Sequence, residues 1–147
     1  VYCTKKPIYL PNGMLKNLLK KIELSSSVDY KKYLNDELDK KISWKQIKIL
    51  NNNNLFTIGG HSHEHISLAS LNPKEAKFQI NKSFDLFKKN INVDLIHYSY
   101  PEGQKIDYNV KIINTLKKKG VICSPSAIKG YNSITSSDLF NLKRIMI

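Results

Sequence analysis

The amino-acid sequence predicts an α/β domain in which short strands alternate with helices, and three observations predict it. Short apolar runs at residues 55–58, 95–100 and 121–123 are closed by glycine, proline or serine, as short strands commonly are. Between them lie stretches of roughly ten to eighteen residues whose apolar side chains recur at helical spacing. The unusual residues, a histidine cluster and a Tyr-Pro-Gly loop, follow the strands directly, where sites gather in parallel α/β folds. No internal repeat or low-complexity linker interrupts the pattern, so residues 1–147 read as a single domain.

Each element has its own justification. Residues 1–4 form a short apolar-leaning strand. Pro11 and Gly13 open a helix over 14–22, with Met14, Leu15, Leu18, Leu19 and Ile22 at helical spacing and serines at 25–27 breaking it. Residues 28–41 carry a weaker stripe of Tyr30, Tyr33, Leu34 and Leu38. Ser43 is placed as an N-cap, with Gln46 at the capping-box position of a helix carrying Trp44, Ile47, Ile49 and Leu50. The asparagine run 51–54 suits a left-handed turn at that helix's end. Residues 55–58 read as a buried strand closed by Gly59 and Gly60. Asn72 caps the next helix with Pro73 at its first position, and Ala76, Ile80, Phe84 and Phe87 form its apolar side. Residues 95–100 are the second clear strand, stopped by Pro101 and Gly103. Asp107 starts a helix with Val110, Ile113 and Leu116 inward, and Gly120 ends it. Residues 121–123 and 142–147 are the last two strands.

Hydrophobic residues at 41% and charged residues at 24% exclude a disordered chain. Lys plus Arg is 24 against 12 for Asp plus Glu, a net charge of +12. Arg144 is the only arginine, so the chain can build almost none of the guanidinium forks that read base edges, and no nucleic-acid partner is expected. The charge reads as a lysine-rich solvated surface, with a dedicated polyanion site as the alternative. No apolar run is long enough for a transmembrane segment. Cys3 and Cys123 match no zinc or redox spacing and read as small buried thiols.

The sharpest feature is His61-Ser62-His63-Glu64-His65, which follows a strand and a glycine pair. His61 and His65 are four positions apart, which sets both imidazoles on one side of a helical turn. Two neutral ring nitrogens there suit adjacent corners of a divalent metal, zinc being the default for imidazole. A pair of surface histidines on a loop is the competing reading. His63 points elsewhere, and Glu64 reads as a solvated carboxylate or a general base turned from the ligand side. The second feature, Tyr98-Ser99-Tyr100-Pro101-Glu102-Gly103, is either a plain turn or a loop whose backbone N–H groups face a substrate.

Together and in this order, the two features resemble the polysaccharide deacetylase family with the NodB homology domain. His61, Ser62 and His65 match its His-Ser/Thr-x-x-His motif, and Tyr98 to Gly103 match its strand ending in a Pro-x-Gly loop. Trp44 with its helix, the leucines at 68 and 71 before a long amphipathic helix, Gly120-Val121 and the stretch 140–147 are further echoes, over residues 43–147. The resemblance implies a distorted (β/α) barrel and metal-dependent hydrolysis of acetyl groups on a carbohydrate. It makes His61 and His65 metal ligands, most simply for zinc, with Ser62 bracing the loop. It gives the backbone N–H of Glu102 to the oxyanion. Tyr98, Tyr100, Pro101 and Gly103 would contact the acetylated polysaccharide or oligosaccharide, with strand-core packing open as the alternative for Tyr98.

The family's first strand ends in an Asp-Asp pair, catalytic base and third metal ligand, and no adjacent Asp pair occurs in this sequence. The resemblance therefore implies an N-terminally incomplete domain whose first strand is missing, with residues 1–4 as the second strand and apolar surface exposed. The late histidine that serves many members as general acid also has no match, and His97 is placed just before the Tyr98 loop. A degenerate barrel that binds glycan without hydrolysis is the alternative reading. By family analogy the setting is the envelope or cytoplasm of a bacterium.

Overall fold

The computed structural model describes residues 41–135 and 137–145, together with Asn17, Lys20 and Lys21. The chain divides into two compact units, Val1–Ile42 and Ser43–Ile147. The expected strand at 1–4 lies outside the described residues, as do the stripe over 28–40 and most of the helix over 14–22, of which Asn17, Lys20 and Lys21 are helical.

In the second unit the local signals act as expected. Ser43 accepts from the Gln46 N–H while the Gln46 side chain returns to the Ser43 N–H, and this capping box starts helix α1, Trp44–Asn51. The asparagines close α1 in a right-handed conformation, with Asn52 at φ −83°, rather than in the left-handed turn expected. Asn72 caps helix α2, Pro73–Ile91, through the N–H groups of Lys74 and Glu75, and a left-handed Asn92 ends it. Helix α3 spans Val110–Lys118 and is capped by Asn109, not by Asp107. Asp107 is buried and accepts the Gln104 N–H instead, which leaves Val110 exposed in the first turn. Ile112 and Leu116 point inward.

Among the described residues all the strand pairing is parallel. Strand β1, Pro125–Lys129, pairs with strand β2, Leu142–Arg144, and single bridges join Gly60 to Tyr98 and His97 to Cys123. Each extended segment thus lies beside the next one in sequence, with a helix between the first two and between the second and third. Strand β1 opens on a proline, a position that needs no ladder N–H, and lies wholly beyond the expected strand 121–123, of which only Cys123 makes a bridge. The expected strand 55–58 does not form. Leu55 and Phe56 are exposed, and only Gly60 reaches the neighbouring segment.

The core lies between these segments and the helices. Leu68, Ile80, Tyr98, Tyr100, Ile112, Leu116, Val121 and Phe140 pack as one cluster, with Phe84 and Tyr108 against it. Tyr100 and Tyr108 stack at 3.9 Å between ring centres, and the Tyr100 hydroxyl donates to the Phe140 carbonyl at 2.9 Å. Trp44 of α1 meets Phe87 of α2 edge to face.

Candidate metal centre

Gly60 sets the entry to the histidine loop. Its N–H donates to the His97 carbonyl at 2.9 Å, and its carbonyl accepts from Ser99 at 2.8 Å. A Cβ at this position would lie 2.7 Å from the Tyr98 ring, so only glycine lets the backbone pass so close.

The loop is not a helical turn. Ser62 and His65 are both left-handed, at φ 58° and 54°. Its backbone N–H groups are taken by side chains from two other elements. Ser62 donates to the Tyr98 hydroxyl at 2.8 Å, and His63 and Glu64 both donate to Gln79 Oε1 at 3.2 and 3.0 Å. Gln79 Nε2 in turn donates to the Glu64 carboxylate at 2.6 Å. This scaffold brings the His61 and His65 rings within 4.7 Å, tilted at 68°, while His63 is held by its backbone on the Gln79 side. The closeness expected from spacing is reached by a different backbone path.

His61 Nδ1 lies 2.9 Å from the Ser99 carbonyl and 2.8 Å from its hydroxyl. His65 Nδ1 lies 3.9 Å from a Glu102 carboxylate oxygen. Glu102 is itself left-handed at φ 60°, a strained conformation for a residue with a side chain. Among the described residues no acceptor meets its N–H. The two histidines, Ser99, Tyr100 and Glu102 line an open cleft of about 300 Å³, which Pro125 and Arg144 complete.

The donor set fits a divalent ion in part. Two imidazoles converge and one of them is already oriented, yet among the described residues no group of three His, Cys, Asp or Glu side chains could hold an ion. His97 does not join the cleft; its Nδ1 lies 3.0 Å from Cys123 Sγ.

Several expected roles move. Ser62 braces the loop through its backbone N–H, and among the described residues its buried Oγ meets no hydrogen-bond partner. Tyr98, expected beside the sugar, is only 1% exposed and belongs to the core, where burial pushes its phenol far above the ordinary range against the opposing Ser62 hydrogen bond. Pro101 is fully buried too. Gly103 admits a strand rather than a ligand: its φ is +68°, a Cβ would lie 2.9 Å from the Ala127 nitrogen, and its carbonyl accepts from Ala127. Of the four expected substrate contacts only Tyr100 reaches the cleft, at its inner wall. Burial raises its phenol to about 12.

Sequence reasoning missed Gln79 and Arg144 as members of this site. Gln79 offers one signal, a polar residue between Ala76 and Ile80 on the inward side of α2. Arg144 stood out as the one arginine.

The geometry can be set beside known proteins. A family model described as polysaccharide deacetylase matches residues 24–123. Among solved structures, Streptococcus pyogenes deacetylase PplD in complex with acetate is similar, with a TM-score of 0.64 and 21% identity over 78% of this chain and 48% of that one. At that identity the likeness shows an α/β fold shared with a deacetylase, and the chain spans about half the length of the matched one. No curated protein matches the chain.

Proposed function

Because the chain belongs to the polysaccharide deacetylase family, we propose that its histidine cleft serves the metal-dependent removal of acetyl groups from a carbohydrate, in part of a (β/α) barrel. The observation that carries this reading is the meeting of His61 and His65 at 4.7 Å on the wall of an open cleft. The sequential parallel pairing of its extended segments supports the barrel.

His61 and His65 would hold the ion, zinc by the preference of imidazole ligands. When bound, the ion supplies polarisation of the acetyl carbonyl and a more acidic water. The Ser99 carbonyl keeps the His61 proton on Nδ1 and so presents Nε2 to the cleft. The Glu102 N–H, which meets no acceptor among the described residues, offers a backbone donor to an oxyanion without calling on its side chain. Tyr100 backs the cleft from the core, stacked on Tyr108 and bonded to Phe140, and so supports the wall rather than offering a face to the sugar.

Glycan binding without hydrolysis is the second reading, favoured by one observation: among the described residues the two histidines gain no third donor. The two readings separate on acetate release. The zinc-loaded full chain is given N-acetylglucosamine oligosaccharides, and zinc-dependent acetate that disappears in His65→Ala supports deacetylation. Saturable binding with no acetate above the His65→Ala background replaces it with the binding module.

A further inference from the structure

Arg144 ends β2 on the wall of the same cleft as His61 and His65. It is the one arginine among 24 basic residues. Among the described residues it makes no ion pair; the pairs found there are His65 with Glu102 and Lys88 with Asp94. In the parallel register its partner on β1 is Lys129, so two cations sit side by side on this part of the sheet. Like charges facing each other across a ladder disfavour the pairing, and a bound anion relieves that repulsion. The cleft's carboxylate, Glu102, lies beside His65 rather than in a salt bridge with the arginine.

We propose that Arg144 is a specificity-determining residue that binds an anionic substituent, a carboxylate or phosphate, on the acetylated glycan. The substrate class rests on the deacetylase reading, whereas the anion site rests on Arg144 alone. A planar guanidinium offers paired N–H donors matched to two oxygens of either group, which a lysine ammonium cannot reproduce. The remaining surface is lysine-rich, so an arginine in the cleft is suited to orientation as well as attraction. The glycan enters with its acetyl group toward the histidines and its charged substituent toward β2.

The test uses the zinc-loaded full chain and three ligands: an N-acetylglucosamine tetrasaccharide, the same oligosaccharide carrying carboxylates, and the same carrying phosphates. Calorimetry should show one or both anionic forms binding roughly 10- to 100-fold tighter than the neutral one. Arg144→Ala and Arg144→Gln should erase that preference, bringing the anionic forms down to the affinity each variant has for the neutral one, and Arg144→Lys should restore only part of it. Equal affinity for all three ligands, or no binding, overturns the proposal. So does a preference that survives in Arg144→Ala, which assigns it to the lysine surface. Acetate release, read in parallel, separates the two conclusions. Preference without acetate removes the deacetylase reading and keeps the anion site, and acetate without preference does the reverse.

Discussion

The Ser99 carbonyl oxygen lies 2.9 Å from Nδ1 of His61, and that contact decides which nitrogen of the ring is available. A carbonyl only accepts, so the proton sits on Nδ1 and the Nε2 lone pair is left free. Ser99 directly follows Tyr98, the residue that bridges to Gly60, so the same pairing that positions the histidine loop also orients its first ring.

Metal affinity should follow the geometry of the pair. His61→Ala and His65→Ala should each weaken zinc binding by more than the roughly 10- to 100-fold that loss of an outer-shell partner costs. His63→Ala should change it less than about threefold, because His63 lies on the Gln79 side of the loop. Competition with a chromophoric chelator measures all three, and stoichiometric zinc in the His61→Ala, His65→Ala double variant would refute the assignment.

Gln79→Leu should destabilise the protein by about 1–2 kcal/mol, since it removes the shared acceptor of His63 and Glu64. It should also lower zinc affinity by roughly tenfold, because the loop loses one of its two anchors. Urea denaturation and the same chelator competition report the two effects. A stable variant with unchanged zinc affinity would leave Gln79 no part in shaping the loop.

Two glycines in left-handed conformations should respond differently to alanine. Gly120 has nothing within 4 Å of an added Cβ, so Gly120→Ala should cost about 1 kcal/mol from backbone strain alone. Gly103→Ala adds a clash 2.9 Å from the Ala127 nitrogen, and should cost at least about 2–3 kcal/mol. Thermal unfolding of both variants should give the larger loss for Gly103.

Alkaline pH should unfold the protein through its buried phenols. The Tyr100 phenol is raised from 10.0 to about 12, chiefly by burial, and Tyr98 is raised further in the same direction. Because the folded value exceeds the unfolded one, this part of the stability is fully present below pH 10.0 and is lost as pH rises towards about 12. Stability measured by urea titration should therefore fall over that window, and Tyr98→Phe should show a shallower fall.

Local chemistry was legible in the sequence, and long-range chemistry was not. Ser43 with Gln46 and Asn72 with Pro73 act within one turn, so their spacing alone places two helix starts. The nearness of His61 and His65 was also legible, although Tyr98 and Gln79 produce it from far along the chain. Nothing local distinguishes a cleft tyrosine from a core tyrosine, and so Tyr98 reads equally well as either until Phe84 and Leu68 are placed around it. By sequence α3 starts at Asp107, whereas Asn109 caps it, because Asp107 accepts the Gln104 N–H. Arg144 reaches the cleft only through the pairing of β2 with β1, a register fixed by the fold as a whole.

The pinned histidine loop has a thermodynamic consequence. Its amides are tied to a core phenol and to a helix side chain. The entropy of ordering the loop is therefore spent during folding. An ion held by His61 and His65, as proposed above, would meet side chains already brought together, and its binding free energy would not be consumed in shaping them. On the proposed metal reading, folding and loading would be separable events, unlike those of a small zinc domain that is a random coil until the metal arrives.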